Sequence, residues 1–472
     1  MQTANSSYLQ KNKPLFRALQ KALSARFSYA SVLAADGREK HYSVSARGVQ
    51  VSDGDFYGRK GFCVRVYDNG AYAEYAGNEI SEASIPAIVA AIEGKLHQAA
   101  CAYPRVETPL LPEEELTFSK STEFEIHPEE LGDEKIVSML TGIRERTKAL
   151  DERLIDAMVR MEYQEYHKLF LSDKKDLEQN VLWTCGALAV IARREEEIKD
   201  SYRGFSVMGG AELLDRIEKE APAVVRTCTD LLSCEPMIPG EYECVCTPEV
   251  TGMIVHEAFG HGVEMDMFVK DRALAKTWIG ERVASDVVTM RDGAASAKEV
   301  ASYFFDDEGN VAQDTLVIDH GILKSGYADA VSAARLGVRP TGNGRRESVE
   351  RKAYTRMTNT FFEAGDKTPE EMIASVRDGL LLECPTSGME DPKNLGIQCM
   401  VSHAREIKDG KLTGRIFSPV VLTGYVPDLL KSISMVSDTA ELCGSGACGK
   451  GYKEWVKVSD GGPWIKARIR LG

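Results

Sequence analysis

Residues 253–266 read MIVHEAFGHGVEMD. The count between the two histidines decides what backbone this segment takes and what the chain around it must support. In the familiar zinc signature H-E-x-x-H the histidines are four apart on one helical face, with glutamate as general base. Here His256 and His261 are five apart. In a plain α-helix, at roughly 100° per residue, five steps leave two side chains about 140° apart. A π-turn, with i→i+5 bonding, nearly eclipses them instead. Gly260 and Gly262 leave the backbone free to distort around the second histidine. On that reading His256 and His261 are metal ligands, and Glu257 is the base that takes a proton from metal-acidified water. A third ligand is still wanting. On the other reading, two of the eight histidines simply fall together on a buried helix. The residues leave both open.

Just upstream, CEPMIPGEYECVC (234–246) changes the character of the chain: Pro and Gly punctuate, then an alternating strand begins. A boundary near residue 236 therefore separates an N-terminal domain, 1–236, from a C-terminal one, 237–472. The C-terminal part reads mostly as antiparallel strands. It has hairpins about His320-Gly321 (315–329) and Asp409-Gly410 (397–417), and one further helix at 369–379. The N-terminal part mixes helix and strand, with helical periodicity at 7–28 and at 80–98 and a hairpin at 61–75 about Asn69-Gly70. A linker is expected at 104–117, a helix near 128–152, and strand segments at 155–171 and 178–203. A helix at 211–233 should be kinked or divided by Pro222. The fold class is α+β.

The second chemical signal is ELCGSGACGKGYKEW (441–455). Gly444 and Gly449-Lys450 match the phosphate-loop spacing, but Gly451 stands where Ser or Thr would hold magnesium and a strand-like run follows in place of a helix. That excludes a nucleotide loop. Cys448 is then either the missing metal ligand or, with Cys443, a structural thiol. RPTGNGRRES (339–348) offers Arg345 or Arg346 for a carboxylate, or is a solvated loop. In YFFDDEGN (303–310), Asp306 and Asp307 make an acidic turn that could support a neighbour. His320 and His403 sit in hairpins as exposed residues. The remaining thiols read as packing residues, with Cys244 and Cys246 on one strand face.

With 58 basic against 72 acidic residues, a net −14, the chain of 472 residues does not present a nucleic-acid surface. Its longest apolar runs fall far short of a membrane span. Eleven unevenly spaced cysteines do not form a disulfide framework, and a reducing cytoplasm is the expected home.

Six segments in order resemble the TldD/PmbA family of peptidases, once described as modulators of DNA gyrase. They are IPGEYECVCTPEVTGMIVHEAFGHGVEMD (238–266), GERVASDVVTMRDG (280–293), FFDDEGN (304–310), TGNGRRES (341–348), RMTNT (356–360) and GACGK (446–450). The resemblance implies one Zn2+ per chain on His256, His261 and Cys448, with Glu257 activating water. It also implies a barrel-like C-terminal domain, and subunits that pair as homodimer or heterodimer around a chamber admitting short or unfolded peptides. Every metal residue is here, so the chain looks like the catalytic subunit type. The alternatives are a non-catalytic or regulatory partner subunit, and a zinc hydrolase maturing one modified peptide.

Overall fold

The computed structural model describes residues 1–54, 60–101, 107–452 and 454–472. Among these the architecture is α+β, built on two sheets. The first has eight strands drawn from residues 29–207, and the second has eleven drawn from residues 240–471. The expected boundary near residue 236 falls in the stretch between them. Residues 104–106 of the expected linker lie outside the described residues, and 107–115 run without regular structure into the strand Leu116–Ser121.

Two long antiparallel strands, Leu154–Leu171 and Lys175–Arg194, make the spine of the first sheet. One end of the sheet is covered by the helices Ser7–Ser24 and Ile85–Ala100, the other by Asp133–Lys148 and Leu213–Leu231. Local signals set several boundaries. Ser6 caps the first helix, Ser81 forms a capping box before the second, and Asn69 and Gly70 both take positive φ, as a type I′ turn requires. The strand expected over 178–203 is instead two. It turns back at Glu195, which has φ 54°, into the strand Glu197–Val207. Pro222 does not divide its helix either. Leu213–Leu231 runs through it, because nine buried side chains hold one face against the sheet and outweigh the ~3 kcal/mol of an interior proline.

The second sheet closes on itself. Strands Gly240–Cys246, Asp378–Asp391, Gly396–Lys408, Val420–Tyr425 and Ser459–Leu471 form a five-stranded barrel. A ring with an odd number of strands cannot alternate direction throughout. The one parallel seam is Gly240–Cys246 against Asp378–Asp391, and the other four pairings are antiparallel. Cys244 and Cys246 point into the large C-terminal core, and Val245 points to a smaller one under the helix Pro369–Ala374. That helix is shorter than the sequence suggested, ending where Ser375 takes up three backbone bonds.

The halves are joined by buried charge. Arg346 is 7% exposed and pairs through its guanidinium with Glu74 of the N-terminal hairpin, while also donating to the Arg351 carbonyl. Burial would raise the Glu74 pKa, but Arg65 and Arg346 outweigh it and hold the carboxyl well below the usual range. Arg346→Met should therefore lower stability by about 3 kcal/mol, because it leaves a half-buried carboxylate short of its partner. Urea midpoints of the two proteins measure this.

Candidate metal centre

Strand Gly240–Cys246 leads into the helix Pro248–Ile254, which lies so close to the barrel that a Cβ at Gly252 would stand 2.6 Å from the Gly461 nitrogen. From Val255 to Gly260 the helix widens into a π-turn, and the His261 N–H donates to the His256 carbonyl across five residues. A short 3₁₀ turn, His261–Val263, ends it. The π-turn brings the two imidazoles to one side, ring centroids 5.0 Å apart and nearly perpendicular. Cys448 enters from the hairpin Ala447–Lys450/Glu454–Lys457, with Sγ 3.5 Å from His261 Nε2. One donor atom from each of His256, His261 and Cys448 lies within 4.8 Å of the others. All three residues are buried.

A second layer fixes each donor. His261 Nδ1 lies 3.1 Å from Glu264 Oε2, and His256 Nδ1 lies 3.4 Å from Asp460 Oδ2 at the start of the last barrel strand. With both Nδ1 atoms facing carboxylates, Nε2 is the edge left to an ion on each ring, the arrangement that fixes tautomer and orientation in metal-ligating histidines. Lys450 Nζ joins Glu264 Oε2 at 3.0 Å, Asp266 Oδ1 at 2.7 Å and the Thr355 carbonyl at 3.0 Å. Burial would raise Glu264, but Lys450 and His261 hold its carboxyl down at about 2. Fully buried Arg356 donates to the carbonyls of Cys448 and Glu454, tying both strands of the Cys448 hairpin. Burial would raise the Cys448 thiol as well, yet His256 and His261 bring it well below its ordinary value, toward the thiolate a metal needs. Asp460→Asn should weaken metal binding by about 10–100-fold, measured by competition with a chelator.

Glu257 stands next to the cluster. One carboxylate atom each from Glu257 and Glu390 lies within 4.8 Å of a His261 ring nitrogen and of the other. Burial, helped by the hydrogen bond shared with Glu390, raises Glu257 to about 7. The barrel strand Asp378–Asp391 passes close above it, where Gly388 leaves room: a Cβ there would meet Glu257 Cγ at 2.3 Å.

The other residues singled out in the sequence have different duties. Gly449-Lys450 lies in a hairpin and opens no helix, so the phosphate-loop spacing is incidental. Arg346 is engaged by Glu74, so it is no free carboxylate receptor. Asp306 accepts from the backbone N–H groups of Glu308, Asn310 and Gly344, and Asp307 from Lys168 and from the Arg346 N–H, so this acidic turn does support its neighbours. His320 is exposed as expected, but His403 is not. It is 1% exposed on the barrel strand Gly396–Lys408, with Nε2 3.1 Å from Glu383 on the paired strand, a carboxylate that Arg405 also engages at 2.6 Å. Sequence reasoning also missed Asp292. Fully buried, it accepts from Asn343, Thr358 and Thr360, and so ties RDG, GNG and MTNT together. Among the described residues no helix is long and apolar enough to cross a membrane.

Comparison with known proteins agrees with this layout. Residues 239–468 match the model of the PmbA/TldA metallopeptidase C-terminal domain. A metalloprotease of Methanothermobacter thermautotrophicus is 31% identical over 283 residues, covering 60% of this chain and 61% of that protein. A metalloprotease of Methanocaldococcus jannaschii is 34% identical over 236 residues, covering 50% and 51%. The matched stretch thus spans between half and three fifths of these relatives. A protein of Saccharolobus solfataricus named zinc metalloprotease TldD homolog is 25% identical over 425 residues, covering 88% and 90%. Among solved structures, a modulator of DNA gyrase from Thermotoga maritima, so named, superposes with TM-score 0.78 at 17% identity over 97% of this chain and all of that one. TldE from Thermococcus kodakarensis gives 0.74 at 18%, over 97% and 100%. At these identities the superpositions establish the fold. Through its C-terminal half, residues 239–468, the chain belongs to the TldD/PmbA family.

Proposed function

We propose that this chain is a zinc-dependent endopeptidase acting on short or unfolded peptides, with His256, His261 and Cys448 as the metal ligands and Glu257 as the general base. The observation that carries the reading is the convergence of two imidazoles and a thiol beside a carboxylate. Ligand distances of about 2.0–2.1 Å for Zn–N and 2.3 Å for Zn–S in a tetrahedral site put sulfur and nitrogen about 3.5 Å apart. Cys448 Sγ and His261 Nε2 are separated by 3.5 Å. The soft thiolate favours zinc over magnesium or calcium.

A zinc ion there would supply Lewis acidity toward the scissile carbonyl and lower the pKa of water. The protein's own part is positional. Glu264 holds His261 through its Nδ1, Asp460 faces His256 Nδ1 at 3.4 Å, and Arg356 and Lys450 hold the Cys448 hairpin. Glu257 accepts the proton of the attacking water and returns it to the leaving amine. In this reading residues 237–472 carry the chemistry and residues 1–236 serve substrate binding and pairing. The partner is a second copy or a related subunit, and the site of action is the cytoplasm.

The test uses full-length protein stripped of metal and assayed on unfolded casein, alone and with a related subunit. Cleavage restored by one equivalent of zinc and abolished by chelation is expected. No cleavage under either condition, with zinc bound, would overturn the endopeptidase reading in favour of a non-catalytic subunit.

A further inference from the structure

A partly open cavity of about 70 Å³ lies between the two halves, away from the metal centre. Its N-terminal wall is Gln164, Lys168 and Trp183, and its C-terminal wall is Tyr303, Arg345 and Val456. Four carboxylates line it as well, and most charge around it is matched. Lys168 pairs with Asp307, Lys457 with Glu162, Arg346 with Glu74, Lys60 with Asp36 and Arg351 with Glu347, while Asp306 is taken up by backbone N–H groups. Three donors are not matched. Gln164 is 2% exposed and its Nε2 has no acceptor; Arg346 Nε, also buried, has none. Arg345 lies against the Tyr303 ring and donates to the Met357 carbonyl, and among the described residues no carboxylate pairs with it.

Two buried N–H groups without acceptors, beside a half-buried guanidinium that no carboxylate pairs with, are costly unless an acceptor-rich group completes them. The planar guanidinium favours a carboxylate. Trp183, Val349 and Val456 line the same space and suit a short apolar body. A volume of about 70 Å³ keeps that body small.

We infer that this cavity binds a short-chain carboxylate, either free or as the chain end of a peptide, through Arg345 and Gln164. The inference does not depend on the peptidase reading. Its place gives it reach, however, because Val456 is the residue paired across the hairpin with Cys448. An occupant would brace the strand behind the third metal donor from the N-terminal half.

The test is calorimetric titration of the full chain with propionate, with propionamide, and with a tripeptide carrying either a free or an amidated C-terminus. A carboxylate ligand, propionate or the free-ended tripeptide, should bind saturably at one per chain, about tenfold or more tighter than its neutral counterpart, as a charge-assisted pair implies. Propionate binding assigns the carboxylate to a small molecule, and binding by the free-ended tripeptide alone assigns it to a chain end. Gln164→Leu should lose about tenfold in binding while the ligand-free Tm holds or rises, since an N–H without an acceptor has been removed. Arg345→Met should lose binding too. Equal binding of the neutral compounds, unchanged binding in Gln164→Leu, or no saturable binding of either carboxylate, which would leave ordered water as the occupant, overturns the inference.

Discussion

Glu257→Gln is expected to keep the metal and the fold while losing about 10²–10⁴-fold in kcat, the usual contribution of a positioned general base. Glutamine preserves the volume beneath Gly388, where the strand Asp378–Asp391 leaves no slack, so the local packing should survive. It removes only the basic oxygen. The measurement pairs kcat on an unfolded substrate with metal content by mass spectrometry. A variant with intact metal and undiminished kcat would take Glu257 out of the chemistry. It would pass the role to Glu390, the other carboxylate within 4.8 Å of the His261 donor.

The second large effect is on the metal itself. Cys448→Ser should fall from about one ion per chain to a small fraction. Its affinity loss should exceed the roughly 10–100-fold that an outer-shell change costs, because a serine hydroxyl stays protonated where the thiol has been drawn toward thiolate by two histidines. The hairpin has independent reasons to stay in place. Arg356 holds it through the Cys448 and Glu454 carbonyls and Lys450 through Glu264 and Asp266, and none of these bonds uses the sulfur. Equal metal in both proteins would remove Cys448 from the ligand set.

What could be read in advance divides along a physical line. Hairpins about Asn69-Gly70, His320-Gly321 and Asp409-Gly410 were legible because positive φ is a local demand met by a few residue types. The π-turn was legible for a related reason: only one backbone lets a five-residue spacing serve a single side. Its partner hairpin came from a resemblance, since nothing local ties Cys448 to His261. The supporting carboxylates show the same divide. Glu264 is three residues past its histidine and could have been found by asking which carboxylate lies one turn on, whereas Asp460 arrives through barrel closure. His403 was misread, and Pro222 over-weighted, because long-range burial set both outcomes. The parallel seam was hidden in the same way, being a property of the closed ring and of no one strand.

The π-turn has a consequence for how such centres are recognised. It works as a phase shift in the helix: one extra residue is spent between the two histidines, and every side chain after it keeps the bearing it would have had without the addition. The written trace of that shift is a histidine pair in the wrong α-register, with glycine on either side of the second member. A scan that admits only i and i+4 rejects this segment at sight. One that treats glycine as permission to slip a single residue would keep it, and would then need only to ask what elsewhere in the chain brings a thiol to meet it.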